Sequence, residues 1–78
     1  MNKAYDTLTA FIKRNKLVAN QKVSTIVAGN LLTNNFLFQD ILSNLFFFNF
    51  SEDADGIAVG IDTISFIKLE NGEVWYKS

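Results

Sequence analysis

The sequence contains no cysteine, no histidine and no proline. Without cysteine there are no disulfides, and without cysteine and histidine the usual zinc sites cannot be assembled. The standard serine and cysteine nucleophile arrangements also fail, because they need a histidine base. We therefore expect a protein that is not an enzyme and that holds neither a metal nor a cofactor.

A chain of 78 residues has a small interior, yet 49% of its residues are hydrophobic. In a domain of this size, hydrophobic stabilisation only just balances the loss of conformational entropy. Small proteins often add disulfides or zinc to remain folded, and neither is available here. Association with a second copy or with another protein is the remaining way to stabilise the fold. We expect residues 1–78 to form a single domain.

Charge is scarce in the middle of the chain, where residues 23–51 carry only Asp40. This stretch is interrupted by seven Asn, Gln and Asp residues, whereas a membrane span needs about 20 mostly apolar residues. The first 22 residues contain five basic residues and no uninterrupted apolar core of a secretory signal. The sequence therefore predicts a cytoplasmic protein without a membrane span.

Apolar residues recur at three- and four-residue steps in the first half of the chain, which is the period of an amphipathic helix. The first such stripe predicts a helix ending near Asn15, and it consists of Ala4, Tyr5, Leu8, Phe11 and Ile12. A second helix is predicted from about Asn20, with a strand over Lys22 to Ala28 as the alternative because β-branched residues are frequent there. A third helix is predicted from Phe36 or Leu37 to about Phe48.

The last third of the chain has the two-residue period of strands. Ile57, Val59 and Ile61 alternate with small residues, and Asn71-Gly72 separates two further β-type runs. Asn-Gly is a strong hairpin signal because both residues tolerate positive φ, and a two-residue turn pairs Leu69 with Val74. The predicted fold is therefore α+β, with three N-terminal helices (about 3–50), an acidic loop (51–56) and a small antiparallel β-meander (about 57–77).

The acidic loop partly matches a calcium-binding loop, with Asp53, Asp55, Gly56 and Asp62 at suitable spacing. The first ligand position carries Ser51 where a carboxylate is wanted, and the following residues indicate a strand rather than the helix of that motif. A solvated acidic turn is the favoured interpretation, and calcium binding is left open.

Phenylalanine is the most prominent feature of the sequence, with Phe46-Phe47-Phe48-Asn49-Phe50 at the end of the uncharged stretch. A cluster of aromatic residues too large for one small core is typical of a protein interface. The predicted interface consists of Phe36, Phe46, Phe47, Phe48, Phe50, Trp75 and Tyr76. We expect a small protein that self-associates or that binds and regulates another protein, in the manner of a phage or mobile-element inhibitor.

Charge is unevenly distributed along the chain, and this supports an alternative function. Residues 1–22 carry a net charge of +4 and residues 23–78 a net charge of −5. The alternative is nucleic-acid binding, with phosphate contacts from Lys13, Arg14, Lys16 and Lys22. Three of these four residues lie where cations stabilise the end of the first predicted helix, so the sequence favours protein binding.

Overall fold

The structure is a computed structural model that describes residues 3–77. It contains one α-helix, α1 (Lys3–Arg14), which confirms the first predicted helix. The rest is a six-stranded antiparallel sheet and one 3₁₀ helix, Ile61–Thr63. The strands are β1 (Gln21–Ala28), β2 (Leu31–Leu42), β3 (Leu45–Asn49), β4 (Ile57–Gly60), β5 (Ile64–Leu69) and β6 (Val74–Tyr76). The predicted α+β fold, with three helices packed on a small β-meander, is wrong, because the described chain is mostly β.

The strand order across the sheet is β4-β3-β2-β1-β5-β6. The meander is therefore formed by β1 to β4, and β5 returns to pair with β1 on the other side. The predicted meander over residues 57–77 is wrong, since β4 pairs with β3 instead of β5. The C-terminal hairpin of β5 and β6 is confirmed. The one α-helix of the described chain is neither long nor apolar enough to cross a bilayer.

The second predicted helix is wrong, because these residues form strand β1. The alternative prediction of a strand over residues 22–28 is confirmed. Its buried residues Val23, Ile26 and Ala28 follow one another at steps of three and two. The three-residue step arises because Ser24 is an extra residue relative to β5, which makes a β-bulge. Because of the bulge, two buried residues of this strand have the three-residue spacing of a helical stripe. Gly29 then turns the chain with φ of 59°, a conformation that costs glycine little.

The third predicted helix is replaced by the second half of β2, a two-residue turn and β3. Ser43 adopts φ of 53° in this turn, so the chain reverses direction at a residue that gives no strong turn signal. Another bulge, at Gln39, separates the core residue Phe38 by three positions from Ile41, which packs against the core. The apolar run up to Phe48 is therefore two paired strands that present side chains to both faces.

The sheet curls around its buried face because β2 is sharply bent. A straight strand of 12 residues spans roughly 36 Å between its first and last Cα atoms. Both ends of β2 instead meet the 3₁₀ helix, which rises only about 6 Å over its three residues. At one end Ile61 N donates to the backbone oxygen of Asn44, and at the other Gly29 N donates to that of Thr63, both at 2.8 Å.

The core lies between the curled sheet and α1. The helix contributes Leu8 and Phe11, and β2 and β3 contribute a group of four phenylalanines. The rings of this group contact one another at centroid distances of 4.9–6.4 Å, in the pairs Phe36–Phe48, Phe38–Phe46, Phe46–Phe48 and Phe36–Phe46. The phenylalanine content predicted to exceed one core is thus largely accommodated inside it.

The C-terminal hairpin differs from its predicted register by one residue. Val74 lies opposite Lys68 and Tyr76 opposite Phe66, because the loop contains three residues, Glu70 to Gly72. Gly72 takes the positive φ of 90° that such a loop needs at its last position. A shift of one residue exchanges the two faces of a strand. Trp75 therefore enters the core, where its Nε1 donates to Thr7 Oγ1 at 3.2 Å.

Candidate interaction surface

The side of the sheet that faces away from α1 and the core is here called the outer face. In an antiparallel sheet, directly opposite residues of neighbouring strands project on the same side. Ile67 and Trp75 are opposite one another and buried, so the pair next to them, Phe66 and Tyr76, belongs to the outer face. The buried residues of α1 and of the 3₁₀ helix belong to the core, so neither helix covers this face.

Four apolar residues form a straight row across the outer face, which we call the outer row. Leu32 of β2 lies opposite Val27 of β1, Val27 lies opposite Phe66 of β5, and Phe66 lies opposite Tyr76 of β6. Three strand spacings make this row about 14 Å long. Leu32 is 64% exposed and Tyr76 is 65% exposed, and the rings of Phe66 and Tyr76 lie 5.2 Å apart.

Polar side chains border the outer row on the same face. Thr25 lies opposite both Asn34 and Lys68 in the next row of the sheet. Thr25 Oγ1 donates to Asn34 Oδ1 at 3.0 Å, which satisfies part of the hydrogen-bonding capacity of both side chains. An apolar centre with a polar border is the usual composition of a protein–protein interface.

A second feature of the outer face is a groove of about 330 Å³ near the turn between β2 and β3, which we call the acidic groove. Its lining residues are Gln39, Asp40, Leu42, Phe47, Asn49 and Gly56. Asp40 lies opposite Phe47 on β3, and the bulge at Gln39 places both residues on the outer face. Leu42 is 64% exposed, as much as Leu32 at the other end of β2.

The structure divides the seven predicted interface residues between the core and the surface. The residues found in the core are Phe36, Phe46, Phe48 and Trp75. The remaining three reach the surface: Phe47 lines the acidic groove, Tyr76 ends the outer row, and Phe50 is 54% exposed beside the ring of Phe48. Only these three of the seven predicted residues are therefore available for an interface.

Sequence reasoning missed three members of the outer row, Val27, Leu32 and Phe66. Val27 lies in the second predicted helix and Leu32 received no role, and only strand pairing brings them next to Phe66. One signal could have found them: Gly29-Asn30 between two runs rich in β-branched and apolar residues is itself typical of a hairpin.

The four basic residues of the alternative function lie at and after the end of α1. Two of them lie close to acidic residues of the β5–β6 loop, with Arg14 Nη2 3.7 Å from Glu73 Oε1 and Lys22 Nζ 3.9 Å from Glu70 Oε2. These pairs are exposed, so they add little stability, but they reduce the positive field of the region. Nucleic-acid binding by Lys13, Arg14, Lys16 and Lys22 stays a prediction.

The acidic loop leads directly into strand β4. The helix that follows the metal ligands in the calcium-binding motif is therefore replaced by a strand. Within residues 3–77, no group of three or more acidic side chains is gathered in a way that would hold a metal ion.

The chain has no significant match among protein-family models, curated proteins or solved structures. Its function is accordingly inferred from its own geometry, and the outer row and the acidic groove are the two surfaces on which that inference rests.

Proposed function

We propose that this chain is a small non-enzymatic protein-binding module that self-associates through the outer row. The observation that carries the proposal is the row itself: four apolar side chains stand directly opposite one another on a face that neither described helix covers, with Leu32 and Tyr76 exposed and Val27 and Phe66 half-buried between them. The largest exposed apolar patch of a single domain is often a binding site.

A second copy of the chain is the partner that suits this surface best. The outer row contains no charged residue, so two copies related by a two-fold axis can lay their rows against each other without bringing like charges together. The net charge of the whole chain is only −1, and a net charge near zero favours association. Burying the row would also supply stabilisation that the small core lacks.

Tyr76 is the residue of the row that we expect to contribute most to binding. Its side chain is 65% exposed in the single chain, and tyrosine is one of the residue types enriched among interface positions where truncation costs about 2 kcal/mol or more. Phe66 supports its ring from the neighbouring strand. The proposal includes a cytoplasmic location and a role in binding and regulating another protein.

The proposal is tested with two leucines of the same strand. Leu32 and Leu42 have the same exposed fraction, but only Leu32 belongs to the outer row. Light scattering after size exclusion measures the solution mass of the wild type, Leu32→Asp and Leu42→Asp over a range of concentrations. We expect a wild-type mass above the 8.8 kDa of one chain, a monomeric Leu32→Asp and a wild-type-like Leu42→Asp.

Far-ultraviolet circular dichroism of each variant controls for folding, and both leucines are exposed enough for the fold to tolerate the change. A wild type that stays at 8.8 kDa at every concentration would refute self-association. An oligomer that dissociates with Leu42→Asp and persists with Leu32→Asp would place the interface at the other end of β2.

A further inference from the structure

The charges of the sheet are segregated between its two halves. Residues 37–60, which include β3, β4 and the second half of β2, contain four acidic residues and no basic residue. These four are Asp40, Glu52, Asp53 and Asp55. The net charge of this segment is −4, and since the whole chain carries −1, the remaining residues carry +3.

The acidic groove lies within this segment. Asp40 lines the groove directly, and the acidic loop reaches it through Gly56, which follows Asp55. A Cβ atom on Gly56 would lie 3.3 Å from Asn49 Oδ1, so the loop is held close to β3 at this point. Leu42 and Phe47 supply the apolar part of the lining. Apolar surface and negative charge therefore meet in one depression.

The four carboxylates are available to a partner. Asp40, Glu52, Asp53 and Asp55 are exposed, and among residues 3–77 none of them forms an ion pair. Asp40 Oδ1 accepts a hydrogen bond from the backbone N of Ile41 at 2.8 Å, which fixes the position of that carboxylate beside the groove. Glu70 and Glu73 in the other half of the sheet differ, since each has a basic neighbour.

We propose that the acidic groove binds a cationic segment of another protein, with one bulky apolar side chain against Leu42 and Phe47 and flanking Lys or Arg side chains facing Asp40 and the acidic loop. This site goes beyond self-association through the outer row, because it uses different residues and takes a different partner. A volume of about 330 Å³ is at the small end of binding sites and suits side chains of a short segment.

Charge complementarity identifies the class of partner. Four uncompensated carboxylates attract a cationic segment and repel nucleic-acid phosphates and acidic peptides. The apolar lining adds a second requirement, since lysine and arginine alone would leave Leu42 exposed to water. The partner is thus defined by an apolar residue between basic residues.

The test is fluorescence anisotropy of the full chain with four labelled peptides. The first carries Leu-Phe between pairs of Lys and Arg, the second has Ser-Ser in place of Leu-Phe, the third has Glu in place of the basic residues, and the fourth is residues 11–22 of this chain. We expect the first peptide to bind more tightly than the other three. Its affinity should fall as NaCl rises from about 0.05 M to about 0.5 M, because salt screens exposed charges.

Matched variants locate the binding site. Leu42→Asn should weaken binding of the first peptide about fivefold to tenfold, whereas Leu31→Asn, an exposed leucine at the other end of β2 and outside the outer row, should leave it unchanged. Asp40→Asn should weaken binding and reduce its salt dependence, whereas Asp6→Asn on α1 should do neither. Phe47→Ser is a second change of the apolar lining.

Three results would overturn the proposal. Equal binding of the Leu-Phe and Ser-Ser peptides would show that only charge is recognised. Equal effects of Leu42→Asn and Leu31→Asn would place binding elsewhere, and tighter binding of residues 11–22 would make a second copy the occupant. None of these results depends on the solution mass of Leu32→Asp, so this proposal and self-association fail or succeed separately.

Discussion

Replacing adjacent phenylalanines of β3 with alanine should have very different effects on stability. Phe48 is fully buried, and its ring centroid lies 4.9 Å from that of Phe36 and 6.1 Å from that of Phe46. Phe47 projects on the other side of the strand and lines the acidic groove. The sheet therefore predicts that Phe48→Ala is severe and that Phe47→Ala is mild.

The size of each loss of stability follows from how deeply the phenylalanine ring is buried. Truncating a buried phenylalanine to alanine costs about 3–5 kcal/mol through lost transfer free energy and the cavity that remains. Domains have roughly 0.05–0.15 kcal/mol of stability per residue, which gives about 4–12 kcal/mol for a chain of this length. Phe48→Ala should therefore remove between a quarter and all of the free energy of unfolding. Phe47→Ala loses only partly buried surface and should cost about 1 kcal/mol.

Urea denaturation followed by the fluorescence of Trp75 measures this difference, because Trp75 is buried in the folded chain and becomes exposed on unfolding. The comparison is made in the Leu32→Asp background, since self-association would otherwise add its own stabilisation. Phe48→Leu, which leaves a smaller cavity, provides a value if Phe48→Ala does not fold. Equal losses for the two alanine variants, or a larger loss for Phe47→Ala, would refute the alternation of β3.

Three further changes test the contacts that shape the fold. Thr7→Val should cost about 0.5–1.5 kcal/mol in a urea titration, because it removes the acceptor of the part-buried hydrogen bond from the indole N–H of Trp75. Gly29→Ala should lower the melting temperature by an amount equivalent to about 1 kcal/mol, since φ of 59° strains any residue with a Cβ although nothing lies within 4 Å of that position. Ser43→Gly should raise the melting temperature modestly, because φ of 53° is less costly for glycine.

The parts of the fold that the sequence predicts correctly are those with a strong local signal. Helix α1 has an unbroken three- and four-residue stripe, and β5 and β6 flank an Asn-Gly pair. The middle of the chain fails because bulges at Ser24 and Gln39 each insert one residue into a strand. The resulting mixture of two- and three-residue steps resembles a helical stripe more than it resembles a strand.

The candidate site was only partly predictable, and the reason is strand register. Tyr76 and Phe47 were identified as interface residues from their type, but their surface positions depend on pairings that the sequence does not display. One extra residue in the hairpin loop places Tyr76 on the outer face and Trp75 in the core. Leu32 has no distinguishing feature in the sequence and becomes significant only opposite Val27.

The measurement that most directly tests the central claim is a dilution series followed by amide chemical shifts in two-dimensional NMR spectra. If the outer row is the surface of self-association, the shifts that change on dilution will belong to Val27, Leu32, Phe66, Tyr76 and their neighbours in sequence. The amides of α1 will be unchanged, since the helix packs on the opposite face. Changes confined to α1, or no concentration dependence at all, would contradict the claim.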